Sequence, residues 1–243
     1  MKTLNKTMML LALVLAMLLV PAGSLSAKTY LVAVGVGQYK NQNPLRYTVR
    51  DAQTVKYIYD QNGNAETIVL ADAQATKDNV VSTMRRLFSK AKESDIVILF
   101  FSGHGYHGGF CLFDGNLSYS SIRKAMASSR SKNKMIFADT CFSGGMRQGR
   151  GGQDSEARKM NVLLFLSSRP GEESIESQQD RMGLFTLALQ RALSGGADAN
   201  RDRVITAREL FTYVSAKVAE SSRNQQHPVM WGRFSNSMPV IRW

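Results

Sequence analysis

The sequence predicts an α/β domain in which helices surround a mostly parallel central sheet. Two observations carry that expectation. Several strand-length runs are apolar throughout rather than alternating, the pattern of strands buried on both faces. Stretches with helical periodicity separate these runs, which is the order that builds parallel crossover connections. A third observation concerns chemistry: two of the runs end in glycine-flanked reactive residues, Ser102-Gly103-His104-Gly105 and Asp139-Thr140-Cys141-Phe142-Ser143-Gly144-Gly145.

The elements follow in order. Thr29 to Val36 (TYLVAVGV) reads as a buried strand closed by Gly35 and Gly37. Arg46 to Asp60 is helical, with Ala52, Val55 and Tyr59 on one face, and Glu66 to Leu70 is a second strand. Thr76 has the hydroxyl to cap a helix whose apolar face is Val80, Met84, Leu87, Phe88 and Ala91. Ile96 to Phe101 is a continuous apolar strand, and Gly109 to Phe113 reads as a short hairpin arm. Ser118 to Ser128 is a helix, Lys134 to Ala138 the strand before Cys141, and Val162 to Leu166 another apolar strand. Leu184 to Leu193 and Ala207 to Ala219 complete the pattern as amphipathic helices.

The domain is expected over residues 28–243, and residues 1–27 read as a signal peptide. Lys2 and Lys6 flank a positive start, Met8 to Val20 is apolar throughout, and small residues from Pro21 to Ala27 follow. The apolar run is short for a membrane span, which takes about 20 residues. Cleavage after Ser26, with Ser24 at the small-residue position, fits better than cleavage after Ala27, which places Leu25 there. The mature chain is therefore expected to be soluble and exported, to the periplasm or outside the cell, with no membrane attachment. The 243-residue chain carries a formal charge of +12, but its basic residues are scattered and no aromatic-interleaved basic stripe appears, so nucleic acid is not an expected partner. Of the two cysteines, Cys111 lies in the apolar "GFCLF" and suits a buried small hydrophobe. A disulfide between Cys111 and Cys141 would remove the thiol that the second motif presents.

In a parallel sheet, ligands bind beyond the carboxyl ends of the strands. His104 follows one strand end and Cys141 another, so both are expected over the same sheet edge. A free thiol with a pKa of about 8.5 is mostly protonated at neutral pH, and a neighbouring imidazole can take its proton. Gly105 permits close approach of a substrate carbonyl, and the N–H groups of Gly105 and Cys141 are candidates for an oxyanion hole. These are the parts of a cysteine hydrolase.

"FFSGHG" followed by "ADTCFSGG" resembles the caspase–metacaspase group of cysteine peptidases. "LRYTVRDAQTV" is similar to the metacaspase segment after the first strand, and "LSSRPGEESIES" to its substrate-pocket segment. "GLFTLALQRAL", "ADANRDRVITARELFTYV" and "HPVMWG" are similar to the closing region of bacterial caspase-family proteins. The resemblance implies a caspase-like sandwich with His104 as general base and Cys141 as nucleophile. It also implies that Asp51, Asp139 and Ser167 bind substrate, the two aspartates selecting arginine or lysine before the scissile bond through charge-assisted hydrogen bonds. The substrates implied are proteins or peptides with basic residues at the cleavage site. His104 and Cys141 are closer in sequence than the roughly 50 residues of caspases, so the intervening loops are trimmed. Two other readings stand beside this one: a clostripain- or gingipain-like peptidase of the same chemistry, and a catalytically silent caspase-like binding module.

Two loops complete the reading. Asp198 to Glu209 places Asp198, Asn200, Asp202 and Glu209 at the ligand positions of an EF-hand-type loop, which makes Ca2+ a candidate ligand although none is required for the chemistry. Arg203 stands where such loops carry glycine. The segment 144–161 is rich in glycine and polar residues and holds Arg147, Arg150, Arg158 and Lys159, candidate sites of self-cleavage.

Overall fold

The computed structural model describes residues 27–106, 108–141, 162–169 and 171–243. Apart from Ala27, the expected signal peptide lies outside the described residues, and so does the segment 144–161 with Arg147, Arg150, Arg158 and Lys159.

Along the chain run β1 (Thr29–Gly35), α1 (Thr48–Gln61), β2 (Ala65–Ala71), α2 (Lys77–Phe88) and β3 (Ile96–Ser102). Then come β4 (Gly105–Tyr106), β5 (Gly109–Leu112), β6 (Gly115–Ser118), α3 (Tyr119–Met126), β7 (Asn133–Asp139) and β8 (Val162–Leu166). The last are β9 (Glu176–Ser177), β10 (Met182–Gly183), α4 (Leu184–Arg191), β11 (Val204–Thr206), α5 (Ala207–Ser221), β12 (Val229–Gly232) and β13 (Pro239–Arg242). A six-stranded sheet in the order β12-β8-β7-β3-β1-β2 organises them. Its pairings are parallel except for β12, which closes one edge antiparallel to β8.

Strand side chains alternate between two cores, which is why the strands are apolar at every position. Val32, Val34, Leu99 and Ile136 pack towards α2 and α3 on one face; Leu31, Ala33, Phe100 and Phe137 pack towards α1, α4 and α5 on the other. Burying each of these side chains larger than alanine contributes about 1.5–3 kcal/mol. The helix starts follow local chemistry. Thr76 caps α2 by accepting Asn79 N–H at 3.3 Å, as expected from sequence, and Ser118 caps α3 by accepting Ser121 N–H at 3.2 Å. Helix α1 begins at Thr48, two positions later than expected, after Tyr47, which supplies no side-chain cap. Helix α4 runs into a π-turn at Ala192–Gly196, where Gly195 takes a φ of 103°. Among the described residues, no helix is long and apolar enough to cross a membrane.

Candidate active site

Parallel register sets the level of the site. Gly35, Ser102 and Asp139 are neighbours across β1, β3 and β7. His104 and Cys141 each lie two residues past that line and both face one cleft of about 90 Å³, together with Thr48, Asp51, Asp139 and Glu176. The expected convergence of the two strand ends is therefore found. The backbones meet closely: a Cβ at Gly105 would stand 2.4 Å from the Cys141 carbonyl oxygen, so glycine is required there for space.

Three groups hold His104, one of them Cys111, whose N–H donates to the His104 carbonyl at 2.9 Å. The His104 backbone N–H donates to Tyr39 Oη at 2.8 Å, and the Tyr39 ring lies 5.0 Å from the imidazole, tilted by 39°. The imidazole Nε2 is 2.9 Å from the Asn43 carbonyl oxygen. A carbonyl only accepts, so Nε2 carries the proton and in the neutral ring Nδ1 is the basic nitrogen. Neither Tyr39 nor Asn43 was expected from sequence, and Asn43 acts through its backbone, which leaves no residue-type signal.

Cys141 is half-buried, and Cys111 is buried; neither is in a disulfide. Burial pushes the Cys141 thiol above its ordinary pKa, and the charges of Glu173 and Asp139 push the same way, while an N–H of Ser174 offered to the sulfur pulls against them. The thiol thus needs a base to ionise it.

Two buried carboxylates line the same cleft as His104 and Cys141. Asp51, in the first turn of α1, accepts from Ser102 Oγ at 2.7 Å and from Gly183 N–H at 3.2 Å. Asp139, the last residue of β7, accepts from Thr186 N–H at 3.0 Å and Thr186 Oγ1 at 2.7 Å. Burial raises both pKa values. Asp139 is pushed up to about 6, with the Thr186 donors opposing burial and Glu176 adding to it. Asp51 is held well above the usual carboxylate range by burial first and the charge of Asp139 second, against the pull of Ser102 and Gly183. Thr48 also lines the cleft, and its hydroxyl is one of the buried polar atoms without a hydrogen-bond partner among the described residues. Thr48, Ser102 and Glu176 went unassigned in the sequence, although Ser102 lies inside the "FFSGHG" motif.

Ser167 requires a correction. It is fully buried, and its hydroxyl accepts Thr140 N–H at 3.1 Å and donates to the Thr140 carbonyl at 3.1 Å. Its oxygen is spent on tying the end of β8 to the end of β7, and it does not line the cleft. The residue of that segment that does is Ser174, hydrogen-bonded to Ser167. The segment is anchored from behind by the buried Gln226, whose side chain accepts Ile175 N–H at 2.9 Å and donates to the Ser167 carbonyl at 2.9 Å.

The Asp198–Glu209 loop uses its oxygens within the chain. Asp198 accepts the N–H groups of Asp202 and Arg203 at 3.2 and 3.1 Å, and Asn200 and Asp202 accept those of Asp202 and Val204 at 3.0 and 2.8 Å. Glu209 caps α5 with Thr206, accepting its N–H at 3.0 Å and its hydroxyl at 2.7 Å. Arg203 adopts a φ of 64°, taking the left-handed position that glycine fills in EF-hand-type loops. Among the described residues, no group of three or more His, Cys, Asp or Glu side chains is gathered to hold a metal ion.

The fold is shared with a solved structure, protein GSU0716 from Geobacter sulfurreducens, at a TM-score of 0.64 and 17% sequence identity over 84% of this chain and 92% of that one. No curated protein matches the chain. The family model for the caspase domain matches residues 28–237, almost all of the region that carries the sheet, the strand-end histidine and the strand-end cysteine. The chain belongs to the caspase-domain family of cysteine peptidases.

Proposed function

We propose that the protein is an exported cysteine endopeptidase that cleaves after arginine or lysine, with His104 and Cys141 as its dyad. The observation that carries this reading is the layering of the cleft: a thiol and an imidazole at one level, and the buried carboxylates Asp51 and Asp139 beside them. No lysine or arginine is among the described residues lining the cleft. A cationic side chain entering it offsets the burial, and the lesser charge repulsion, that raise both carboxylate pKa values, and offers the Thr48 hydroxyl a partner.

In the reaction, Nδ1 of His104 takes the Cys141 proton while the Asn43 carbonyl keeps the ring in the tautomer with the proton on Nε2. The thiolate attacks the carbonyl carbon of the basic residue, and the N–H groups of Gly105 and Cys141 receive the developing oxyanion, each worth about 10²–10³ in rate. The imidazolium returns its proton to the leaving amine, and water then hydrolyses the thioester, with His104 as base. The segment 144–161 carries the same side chains that the cleft accepts, and slow self-cleavage after Arg158 or Lys159 is the processing event this reading anticipates, with Arg147 and Arg150 as further sites. No metal is required.

Fluorogenic peptides ending in Arg, Lys or Asp test the proposal with wild type and Cys141→Ala. Hydrolysis of the Arg and Lys peptides, lost in Cys141→Ala, is expected. Equal background from both proteins sinks the enzyme, and preference for Asp sinks the pocket assignment. Mass spectrometry of fragments from the same two proteins tests self-cleavage, and equal cuts in both would exclude it.

A further inference from the structure

We infer that Asp72, which does not touch the cleft, is a positioning residue for His104, acting through the loop between β1 and α1. This rests on the proposed role of His104 as base, and it adds a residue that neither the motifs nor the cleft identifies.

Asp72 directly follows β2, and the parallel register of β1 and β2 pairs Gly35 with Ala71. Asp72 is thus beside the chain as it leaves β1. Its Oδ1 accepts two consecutive backbone N–H groups, those of Gly37 and Gln38, both at 2.8 Å. The Gly37 carbonyl in turn accepts Leu45 N–H at 2.9 Å, which closes the loop at its base. That base is tight: a Cβ at Gly37 would stand 2.8 Å from the Leu45 carbonyl oxygen. Two of the contacts that orient His104, Tyr39 Oη on its backbone N–H and the Asn43 carbonyl on its Nε2, project from the closed loop, while its backbone carbonyl accepts Cys111 N–H from β5 at 2.9 Å. One carboxylate oxygen therefore fixes where the loop starts, and the loop fixes which imidazole nitrogen faces the thiol.

The backbone of Asp72 is consistent with such a duty. Its φ is 45°, in the left-handed region that non-glycine residues seldom occupy. Conformations of this kind persist where the surroundings over-determine them, and they cluster near functional sites. Aspartate and asparagine tolerate the region best among residues with a side chain, and both provide an Oδ1 acceptor. Because both N–H groups converge on one oxygen, asparagine can replace aspartate while glycine and alanine cannot. Glycine keeps the backbone conformation and loses the oxygen.

The experiment compares wild type, Asp72→Ala, Asp72→Gly and Asp72→Asn in the full chain. Three quantities are read: kcat and KM on an Arg peptide, the rate of Cys141 alkylation by iodoacetamide followed by peptide mass spectrometry, and the melting temperature. The expected result is a fall of at least tenfold in both kcat and alkylation rate for Asp72→Ala and Asp72→Gly. KM should stay within threefold, the proteins should remain folded at the assay temperature, and Asp72→Asn should return both rates to near wild type. Wild-type rates in Asp72→Gly would mean that the backbone conformation alone matters, and would overturn the inference. So would an Asp72→Asn protein as slow as Asp72→Ala, or a loss confined to KM. The alkylation arm stands apart from peptide cleavage. If wild type cleaves nothing, Cys141 alkylation that slows in His104→Ala but not in Asp72→Ala refutes the inference alone, and alkylation indifferent to His104→Ala refutes the dyad itself.

Discussion

Gly183 lies directly against Asp139: a Cβ at Gly183 would stand 2.2 Å from Asp139 Oδ2. The same glycine donates its N–H to Asp51 Oδ1 at 3.2 Å, so one backbone position serves both carboxylates. Its φ of −61° is open to any residue, which means that glycine is needed for room rather than for conformational freedom. Gly183→Ala is therefore expected to displace Asp139 and destabilise the fold by about 1–3 kcal/mol, as overpacking does. KM for an Arg peptide should rise at least tenfold, with a smaller change in kcat. An unchanged KM would show that the carboxylates do not bind the substrate.

The raised pKa of Asp139 has a stability consequence. Its folded value of about 6 lies above the ordinary 3.8, so the folded state holds the proton more tightly. That contribution is fully present below pH 3.8 and is lost as pH rises through about 6. Asp139→Asn, which cannot ionise, should accordingly be more stable than wild type at pH 8, by about 1–3 kcal/mol on the scale of 1.36 kcal/mol per pKa unit, and should show no such advantage at pH 3.5. Denaturant midpoints at the two pH values check this. A gain of equal size at both would remove the titration argument.

Substrate recognition should follow the same proton. An ionised Asp139 attracts a cationic side chain and a protonated one does not, so kcat/KM for Arg peptides should fall as pH drops through about 6. Asp139→Asn should lower kcat/KM at pH 7.5 by at least tenfold and flatten that limb. Persistence of the limb in Asp139→Asn would assign it to another group.

Gln226 should matter without touching substrate. It is fully buried and links Ile175 N–H to the Ser167 carbonyl behind the wall of the cleft. Gln226→Leu removes both hydrogen bonds and takes the acceptor from the buried Ile175 N–H, at a cost of about 1–3 kcal/mol. A lower melting temperature and a raised KM are expected together. A full loss of stability with an unaltered KM in the remaining folded protein would show that the clamp supports the fold alone.

Calcium is not required by the thiol–imidazole chemistry, so activity is expected to be the same in excess calcium and in excess chelator. Asp198, Asn200, Asp202 and Glu209 accept hydrogen bonds within the chain and keep further oxygen lone pairs. A rise in melting temperature with calcium would identify them as ligands, and coincident melting temperatures would leave the loop a structural turn. Separately, Thr206→Ala should cost about 0.5–2 kcal/mol through loss of the α5 cap.

What was legible in the sequence is what depends on local pattern. Unbroken apolar runs such as Ile96 to Phe101 announced strands buried on both faces, and Thr76 announced a helix start. Glycines after two strands pointed to His104 and Cys141, because parallel topology carries all such strand ends to one edge. Strands β9 to β13 were not legible, since pieces of two to four residues are too short to show a period. Tertiary structure alone decided the rest of the site. Asn43 contributes a carbonyl that any residue possesses, Asp72 acts through two backbone N–H groups 35 and 34 positions before it, and Ser167 turned inward to bind Thr140 while Ser174 took the place at the cleft. Hydrogen bonds between segments distant in sequence leave no periodicity along the chain, and burial, which sets the charge of Asp51 and Asp139, exists only once the sheet and its helices have closed over them.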